Sequence, residues 1–144
     1  MRNMSHNDGN QSQTQDKTKI LLIQQHLPTA MSLVSLMRQQ GCNVKVATDG
    51  KEAIEIANDN EFDLIALDPD LPEGGFEIFL RLRQVPGLSK TPIVFIARRH
   101  DDASWRRGLE LGAVDYIEKP LDGTAFMRRM LSHVKPKPPF GTSP

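Results

Sequence analysis

Residues 63–68 read Asp-Leu-Ile-Ala-Leu-Asp, a run of four apolar residues with an acid at each end. A run this short and this apolar predicts a strand with both faces buried, which is typical of parallel sheets covered by helices. We therefore predict a strand over Asp63–Leu67. Asp68 is then the first residue beyond the carboxyl end of that strand.

Similar apolar runs lie on both sides of this strand along the chain. Between the runs, apolar residues recur at intervals of three and four, which is the spacing of an amphipathic helix. Each interval therefore predicts a helix between two strands. The five predicted strands are Lys19–Ile23, Val44–Ala47, Asp63–Leu67, Ile93–Ile96 and Val114–Ile117.

The predicted helices have apolar stripes and residues that favour helix ends. Aspartate favours the first position of a helix and glycine the position after the last turn. The first helix carries Ala30, Leu33, Val34 and Met37 and ends at Gly41; the second, capped by Asp49, carries Ala53, Ile56 and Ala57; the third carries Phe76, Phe79 and Leu80 and runs to about Gln84; the fourth begins at Asp101 or Asp102, passes Trp105 and Leu109 and stops at Gly112; the last carries Met127, Leu131 and Val134.

Five strands alternating with five helices predict a doubly wound α/β fold. Right-handed crossovers place such strands in one parallel sheet with helices on both faces, a flavodoxin-like three-layer sandwich. We expect one domain over residues 18–134. Residues 1–17 are polar and are predicted to be disordered, and residues 135–144 contain four prolines and are predicted to be an extended tail or linker.

The composition of the chain excludes several kinds of binding site and location. Eighteen basic residues balance eighteen acidic ones, so net charge gives no general attraction to nucleic acid or to anionic membranes. The single cysteine, Cys42, excludes an internal disulfide and a cysteine-cluster metal site. No run approaches a membrane span, and we expect a cytoplasmic protein.

Open parallel sheets carry their sites at the carboxyl ends of the strands. The residues that follow the predicted strands are therefore the candidates for chemistry. They are Gln24 and Gln25 after the first strand, Asp68 after the third, Ala97 after the fourth and Lys119 after the fifth.

The strand ends and their neighbours resemble the response-regulator receiver domain of two-component signalling and phosphorelays. The resemblance covers about residues 18–134 and implies a sheet of order 2-1-3-4-5. It is carried by Ile20, Leu22 and Ile23, by Asp63-Leu-Ile-Ala-Leu-Asp68, by Leu71-Pro72, by Gly108-Leu-Glu-Leu-Gly-Ala113 and by Asp115-Tyr-Ile-Glu-Lys-Pro120.

By this resemblance, four residues match functional positions of the family and three residues differ from the family pattern. It implies that Asp68 stands at the phosphoacceptor position, Lys119 with Pro120 at the lysine–proline pair and Tyr116 at the switch aromatic. Gln24 and Gln25 stand where the family has an acidic pair, and Ala97 stands where it has a serine or threonine. No acid occurs between Asp16 and Asp49, so no shift of the first strand can supply the missing pair.

These departures predict a pocket that binds Mg²⁺ weakly or not at all. Magnesium needs oxygen ligands with compensating negative charge, and Asp68 against Lys119 leaves a net charge near zero. We expect no cofactor, and we expect Asp68 and Lys119 to form an ion pair that lowers the pKa of the carboxyl group. As a hypothesis, Tyr116 rests inward in the space that Ala97 vacates and holds one signalling-like surface.

The last part of the chain suggests where a partner docks. Trp and Arg are favoured at interfaces, and the charged stretch 98–107 contains both. The resemblance implies a contact face on the fourth helix, fifth strand and fifth helix. We expect this face to bind a protein partner, such as a histidine kinase, or a second copy of the chain. We expect neither nucleic acid nor a membrane as a partner. The residues assigned to this face are Trp105, Arg106, Arg107, Tyr116, Arg128 and Arg129.

The sequence thus predicts a non-enzymatic, degenerate receiver that acts as a phosphorylation-independent interaction module. One alternative is a conventional switch that is phosphorylated on Asp68 and binds Mg²⁺ weakly. Another is an enzyme or nucleotide binder on a flavodoxin-like sheet, although no phosphate loop or catalytic dyad stands at the strand ends.

Overall fold

The computed structural model describes residues 17–98, 101–119 and 122–136. Strands and helices alternate over this range, as the apolar pattern predicts. The strands are β1 (Lys19–Ile23), β2 (Asn43–Ala47), β3 (Leu64–Leu67), β4 (Ile93–Ala97) and β5 (Asp115–Glu118), and the helices are α1 (Leu27–Gln39), α2 (Gly50–Asp59), α3 (Gly75–Arg83), α4 (Asp102–Leu111) and α5 (Gly123–Leu131).

All five strands form one parallel sheet of order β2-β1-β3-β4-β5. Strand β3 lies at the centre, where every residue of Leu64–Leu67 is buried. A central parallel strand has helices over both faces, so an apolar side chain is favoured at every position rather than at every second one. The predicted doubly wound fold and its strand order are confirmed.

The sheet separates two hydrophobic clusters because successive side chains of a strand point to opposite faces. Leu21, Ile65 and Phe95 pack with α2, α3 and Tyr116 on one face. Ile20 packs with α1 and α5 on the other. The apolar residues of each strand are thereby shared between two cores, which fixes the carboxyl ends of β1, β3, β4 and β5 along one edge.

The predicted helix ends are largely confirmed. The Asp49 side chain accepts a hydrogen bond from the N–H of Glu52 and begins α2. Asp101, rather than Asp102, caps α4, which ends at Gly112 with a left-handed φ of 114°. A residue without a Cβ adopts this conformation at little cost.

Some predicted bounds are wrong by one to three residues. Strand β5 begins at Asp115 rather than at Val114, a residue that is 43% exposed. Asp63 lies before β3 rather than in it, and its carboxylate accepts a hydrogen bond from the N–H of Lys19 at 2.8 Å. Helix α5 ends at Leu131, so Val134 follows the helix instead of belonging to it. Polar groups at strand and helix ends shift such bounds without changing the apolar pattern.

Among the described residues, no helix is both long enough and apolar enough to cross a membrane. Three predictions concern residues outside the described ranges: the disorder of residues 1–16, the extended tail over 137–144 and the place of Pro120.

Candidate functional site

The carboxyl ends of the strands and the start of α1 line a solvent-open cavity of about 450 Å³. It brings together four of the residues that the sequence placed at this edge, namely Gln24, Gln25, Asp68 and Lys119. Crossover connections cause this convergence, because each chain segment leaves the sheet at the same side. The cavity is lined by Gln24, Gln25, His26, Leu27, Thr29, Asp68, Asp70, Arg98 and Lys119.

Gln24 is the buried polar residue of this cavity, with only 4% of its surface exposed. Its backbone N–H donates to the carbonyl oxygen of Ala47, so the residue extends the pairing of β1 with β2. Its side-chain oxygen Oε1 accepts from the N–H of His26 at 3.0 Å. This bond fixes the amide orientation, since the reverse would set a donor against a donor. Gln25, the next residue, is exposed.

Asp68 continues β3 through its N–H, which donates to the carbonyl oxygen of Ile23 at 3.1 Å. Its Oδ1 accepts from the N–H of Asp70 at 2.9 Å. Burial raises the pKa of Asp68, and the charge of Asp70 raises it further; the hydrogen bond from Asp70 N–H and the charges of Lys119 and Arg98 oppose this rise without cancelling it. Burial is the larger effect because it removes water from the charged form.

Lys119 does not form the predicted ion pair. No ion pair joins it to Asp68 within the described ranges. Burial lowers the pKa of Lys119, although the charge of Asp68 acts in the opposite direction. The prediction that an ion pair lowers the pKa of Asp68 is therefore wrong. The physical reason is that both groups lose hydration at the cavity wall without coming close enough to replace it.

Arg98 is the cavity residue that sequence reasoning missed. It directly follows Ala97, so its position one step beyond β4 is a signal, although Arg98 also belongs to the charged stretch 98–107 that leads into α4. Asp70 also lines the cavity and is exposed, as expected for a residue in a loop flanked by prolines. With both included, the cavity holds two carboxylates, Asp68 and Asp70, and two basic groups, Arg98 and Lys119.

Tyr116 lies inward, with 5% of its surface exposed. Its ring centroid is 5.7 Å from that of Phe95, and its ring lies under Gly108 of α4, where a Cβ would come within 3.2 Å of it. Burial raises the pKa of the phenol, against a hydrogen bond with Ser104 that lowers it. Ala97 is buried at the end of β4, in the same hydrophobic cluster. The role of this inward ring as a fixed signalling state stays a prediction.

The predicted contact face is exposed in part. Trp105 is 39% exposed, and Arg106 and Arg128 are exposed as well. Arg107 is exposed, but its guanidinium lies 4.8 Å from the ring centroid of Phe76 on α3.

Arg129, the last residue of the predicted face, lies on α5 and binds Asp115 at the start of β5. Its Nε and Nη2 donate to the two carboxylate oxygens at 2.8 and 2.6 Å. His133 lies 2.8 Å from the same carboxylate. Part of the predicted face is therefore used in internal packing.

Among the described residues that line the cavity, the anionic side chains are those of Asp68 and Asp70. The described part of the chain contains no group of three or more His, Cys, Asp or Glu residues placed to hold a metal ion. The amide oxygen of Gln24, the most enclosed candidate ligand, already accepts a backbone hydrogen bond. The guanidinium of Arg98 and the ammonium of Lys119 would repel a cation at this site.

Comparison with known proteins identifies the family of the chain. The chain is 34% identical over 122 residues to the response regulator ArlR of Staphylococcus saprophyticus. The match covers 84% of the chain and 54% of ArlR. It is 34% identical over 113 residues to the transcriptional regulatory protein CpxR of Escherichia coli, which covers 78% of the chain and 47% of CpxR. The chain thus spans about half the length of these relatives.

A solved structure agrees with these relatives. The receiver domain of HemR from Leptospira biflexa, in its non-phosphorylated state, is 28% identical, superposes with a TM-score of 0.74, and the match covers 85% of the chain and 98% of that domain. The sequence pattern of the response regulator receiver domain matches residues 20–131. With the parallel sheet and the cavity at its carboxyl edge, these matches show that the chain belongs to the response regulator receiver domain family.

Proposed function

We propose that this receiver domain acts as a protein-interaction module whose binding surface does not depend on phosphorylation of Asp68. The observation that carries the proposal is the side chain of Gln24. It occupies the enclosed position at the end of β1, brings no negative charge, and uses its oxygen to accept the N–H of His26.

Loss of the metal would remove the main source of catalysis for phosphoryl transfer. A divalent ion holds and neutralises the phosphoryl oxygens while the bond to the carboxylate forms. In this cavity Asp68 and Asp70 are already balanced by Arg98 and Lys119, so a further cation would be uncompensated. Ala97 also lacks a hydroxyl group that could contact a phosphoryl oxygen.

Receiver domains bind histidine kinases and other proteins, and the exposed part of the predicted face supports such a role here. Trp105 and Arg106 on α4 and Arg128 on α5 are exposed. Aromatic and arginine side chains provide much of the binding energy at protein interfaces. Tyr116 is buried behind α4 and would hold that helix in one position.

A second candidate is a conventional phosphoacceptor switch. It is favoured by the presence of Asp68 and Lys119 at one cavity wall and by the membership of the chain in a family whose relatives include the response regulator ArlR. In that case Asp68 would accept a phosphoryl group with weak help from Mg²⁺.

Acetyl phosphate with MgCl₂ separates the two candidates. We expect the intact mass of the protein to show no phosphorylated species, because the cavity cannot hold the metal. The double variant Gln24→Asp/Gln25→Asp restores the charge and is expected to gain a phosphorylated species, and Asp68→Asn in that background is expected to lose it. Phosphorylation of the unmodified protein on Asp68 at a rate similar to that of the double variant would contradict the proposal.

A further inference from the structure

The amino ends of the strands, at the edge of the sheet opposite Asp68, carry a groove of their own. Two solvent-open cavities of about 540 and 210 Å³ adjoin there and share Phe62, Asp63 and Gly87. Their walls are formed by the segment 57–63, which leads into β3, and by the segment 86–92, which leads into β4. The two cavities therefore form one continuous depression, the amino-edge groove.

The apolar part of the amino-edge groove is centred on Phe62. This residue lines both cavities and is only half-buried, although it packs against the hydrophobic cluster beneath it. Pro86 lies exposed in the larger cavity, and Pro92 lies half-buried in the smaller one. A groove that offers an aromatic ring suits an extended, proline-rich segment, because such a segment loses little conformational entropy when it binds.

The chain that follows α5 leaves the domain at this groove. Lys135 lines the smaller cavity, and the sequence continues from it as Pro-Lys-Pro-Pro-Phe, ending at Phe140. An extended proline-rich segment advances about 3.1 Å per residue, so Phe140 can lie up to about 15 Å from Lys135. A connection this short gives the segment an effective concentration on the order of millimolar at the groove.

The charges along the groove favour one direction for that segment. Lys90 and Lys135 line the smaller cavity, so a further lysine is favoured away from it. The charged residues that line the larger cavity, all within the described part of the chain, are acidic: Asp59, Glu61 and Asp63. Lys137 and Phe140 are three residues apart, which is one turn of a proline-rich helix, so both side chains can face the same wall.

We propose that residues 137–140 bind in the amino-edge groove of their own chain, with Phe140 against the ring of Phe62 and Lys137 beside Glu61. The segment thus acts as an intramolecular ligand. It holds the chain that follows α5 at the end of the sheet opposite Asp68, and it sets the direction in which that chain leaves the domain. The proposal is independent of metal binding and of phosphorylation at the other edge.

The first test compares amide chemical shifts of the unmodified protein with those of Phe140→Ala. We expect the amides of segments 57–63 and 86–92 to shift, because the aromatic ring leaves the groove, while the amide of Asp68 stays unchanged. Thr142→Ala, a substitution just beyond the bound residues, is the control and should leave the groove amides in place. Shifts confined to the sequence neighbours of Phe140, or equal shifts in both variants, would overturn the proposal.

The second test reverses charges. Lys137→Glu should lower the ratio of bound to free segment about two- to fivefold, the range of surface ion pairs, and move the groove amides toward their positions in Phe140→Ala. Adding Glu61→Lys should restore the bound state, whereas Lys51→Glu, an exposed lysine on α2, should have no effect. Failure of the double variant to recover would overturn the proposal.

Dilution distinguishes the chain's own segment from that of a second copy. An intramolecular contact does not depend on protein concentration, so the groove amides should keep their positions when the unmodified protein is diluted. Movement toward the positions of Phe140→Ala on dilution would show that the groove takes the segment of another molecule, and would overturn the proposal.

Discussion

The side chain of Gln24 brings a neutral amide to the wall of the cavity. Its oxygen accepts from the N–H of His26, and the same cavity is lined by Arg98 and Lys119. A carboxylate at the same position would offer two acceptors and a charge. One amide in place of an acid therefore removes a negative charge from the wall of the cavity.

Asp115 is a carboxylate whose ionisation is strongly coupled to folding. Its side chain is 15% exposed. Burial would raise its pKa, but hydrogen bonds from Arg129, from His133 and from the N–H of Tyr116 outweigh burial and lower the pKa to about 2. A carboxyl group whose pKa is lower in the folded protein stabilises the fold above its unfolded pKa of about 4.

We predict that Asp115→Asn lowers the free energy of unfolding by about 1–2 kcal/mol at neutral pH, a figure reduced for the solvent exposure of the Arg129 partner. The difference should shrink as pH falls from about 4 toward 2, because the carboxylate becomes protonated in both states. Urea denaturation across this pH range measures it. Glu55→Gln, an exposed acid on α2, is the control and should show no such trend; a pH-independent difference for Asp115→Asn would contradict the prediction.

Among the elements, the loop from Asp68 to α3 is held from two sides. The Glu73 carboxylate Oε2 accepts from the N–H of Gly50 at 2.6 Å, which ties the loop to the first turn of α2. Gly75 N–H donates to the carbonyl oxygen of Pro69 at 3.3 Å. An acid at a helix start is favourable, so this contact also stabilises α2. The carboxylate of Asp68 is thus carried on a braced loop rather than a free one.

Gly75 makes that loop intolerant of a side chain. A Cβ at this position would lie 2.5 Å from Cα of Pro69 and 2.6 Å from the carbonyl oxygen of Asp68, both rigid backbone atoms. We predict that Gly75→Ala lowers the free energy of unfolding by about 2–4 kcal/mol, because the loop must move to relieve the overlap. Urea denaturation measures the loss.

Gly123→Ala is the matched control, since Gly123 is likewise the first residue of a helix, α5. Its Cβ would meet only the end of the flexible Leu36 side chain, at 2.9 Å. The gain in helix propensity, up to about 1 kcal/mol, offsets this contact. Equal destabilisation by the two substitutions would show that the backbone contact of Gly75 is not the cause.

For the molecule as a whole, ligand binding and stability are linked. A site that held Mg²⁺ with a Kd of about 0.1 mM would stabilise the fold by about 2.7 kcal/mol in about 10 mM MgCl₂ and raise the Tm by several degrees. We predict a shift of no more than about 1 °C for the unmodified protein relative to NaCl of equal ionic strength. The Gln24→Asp/Gln25→Asp variant should show the larger shift, and scanning calorimetry distinguishes the two. A shift of several degrees in the unmodified protein would contradict the expectation that the cavity has too little negative charge to hold Mg²⁺.

The apolar pattern of the sequence was enough to predict the architecture. Short runs such as Leu64–Leu67 must be buried on both faces, and five of them separated by helical spacing leave few arrangements other than a covered parallel sheet. The loss of the acidic pair was equally visible, because no acid occurs between Asp16 and Asp49. These are properties of residue type and local order, which do not depend on side-chain conformation.

Other features depended on side chains that meet only in the folded chain. The missing Asp68–Lys119 ion pair, the raised pKa of Asp68 and the place of Arg98 in the cavity follow from distances and burial at the meeting of four chain segments. The bond from Gly50 to Glu73 spans 23 residues and has no local signal. Residue type determined which charges this receiver domain lacks, whereas tertiary packing decided which of the remaining groups face one another. The reason is that desolvation and Coulomb energy depend on position in space rather than on order along the chain.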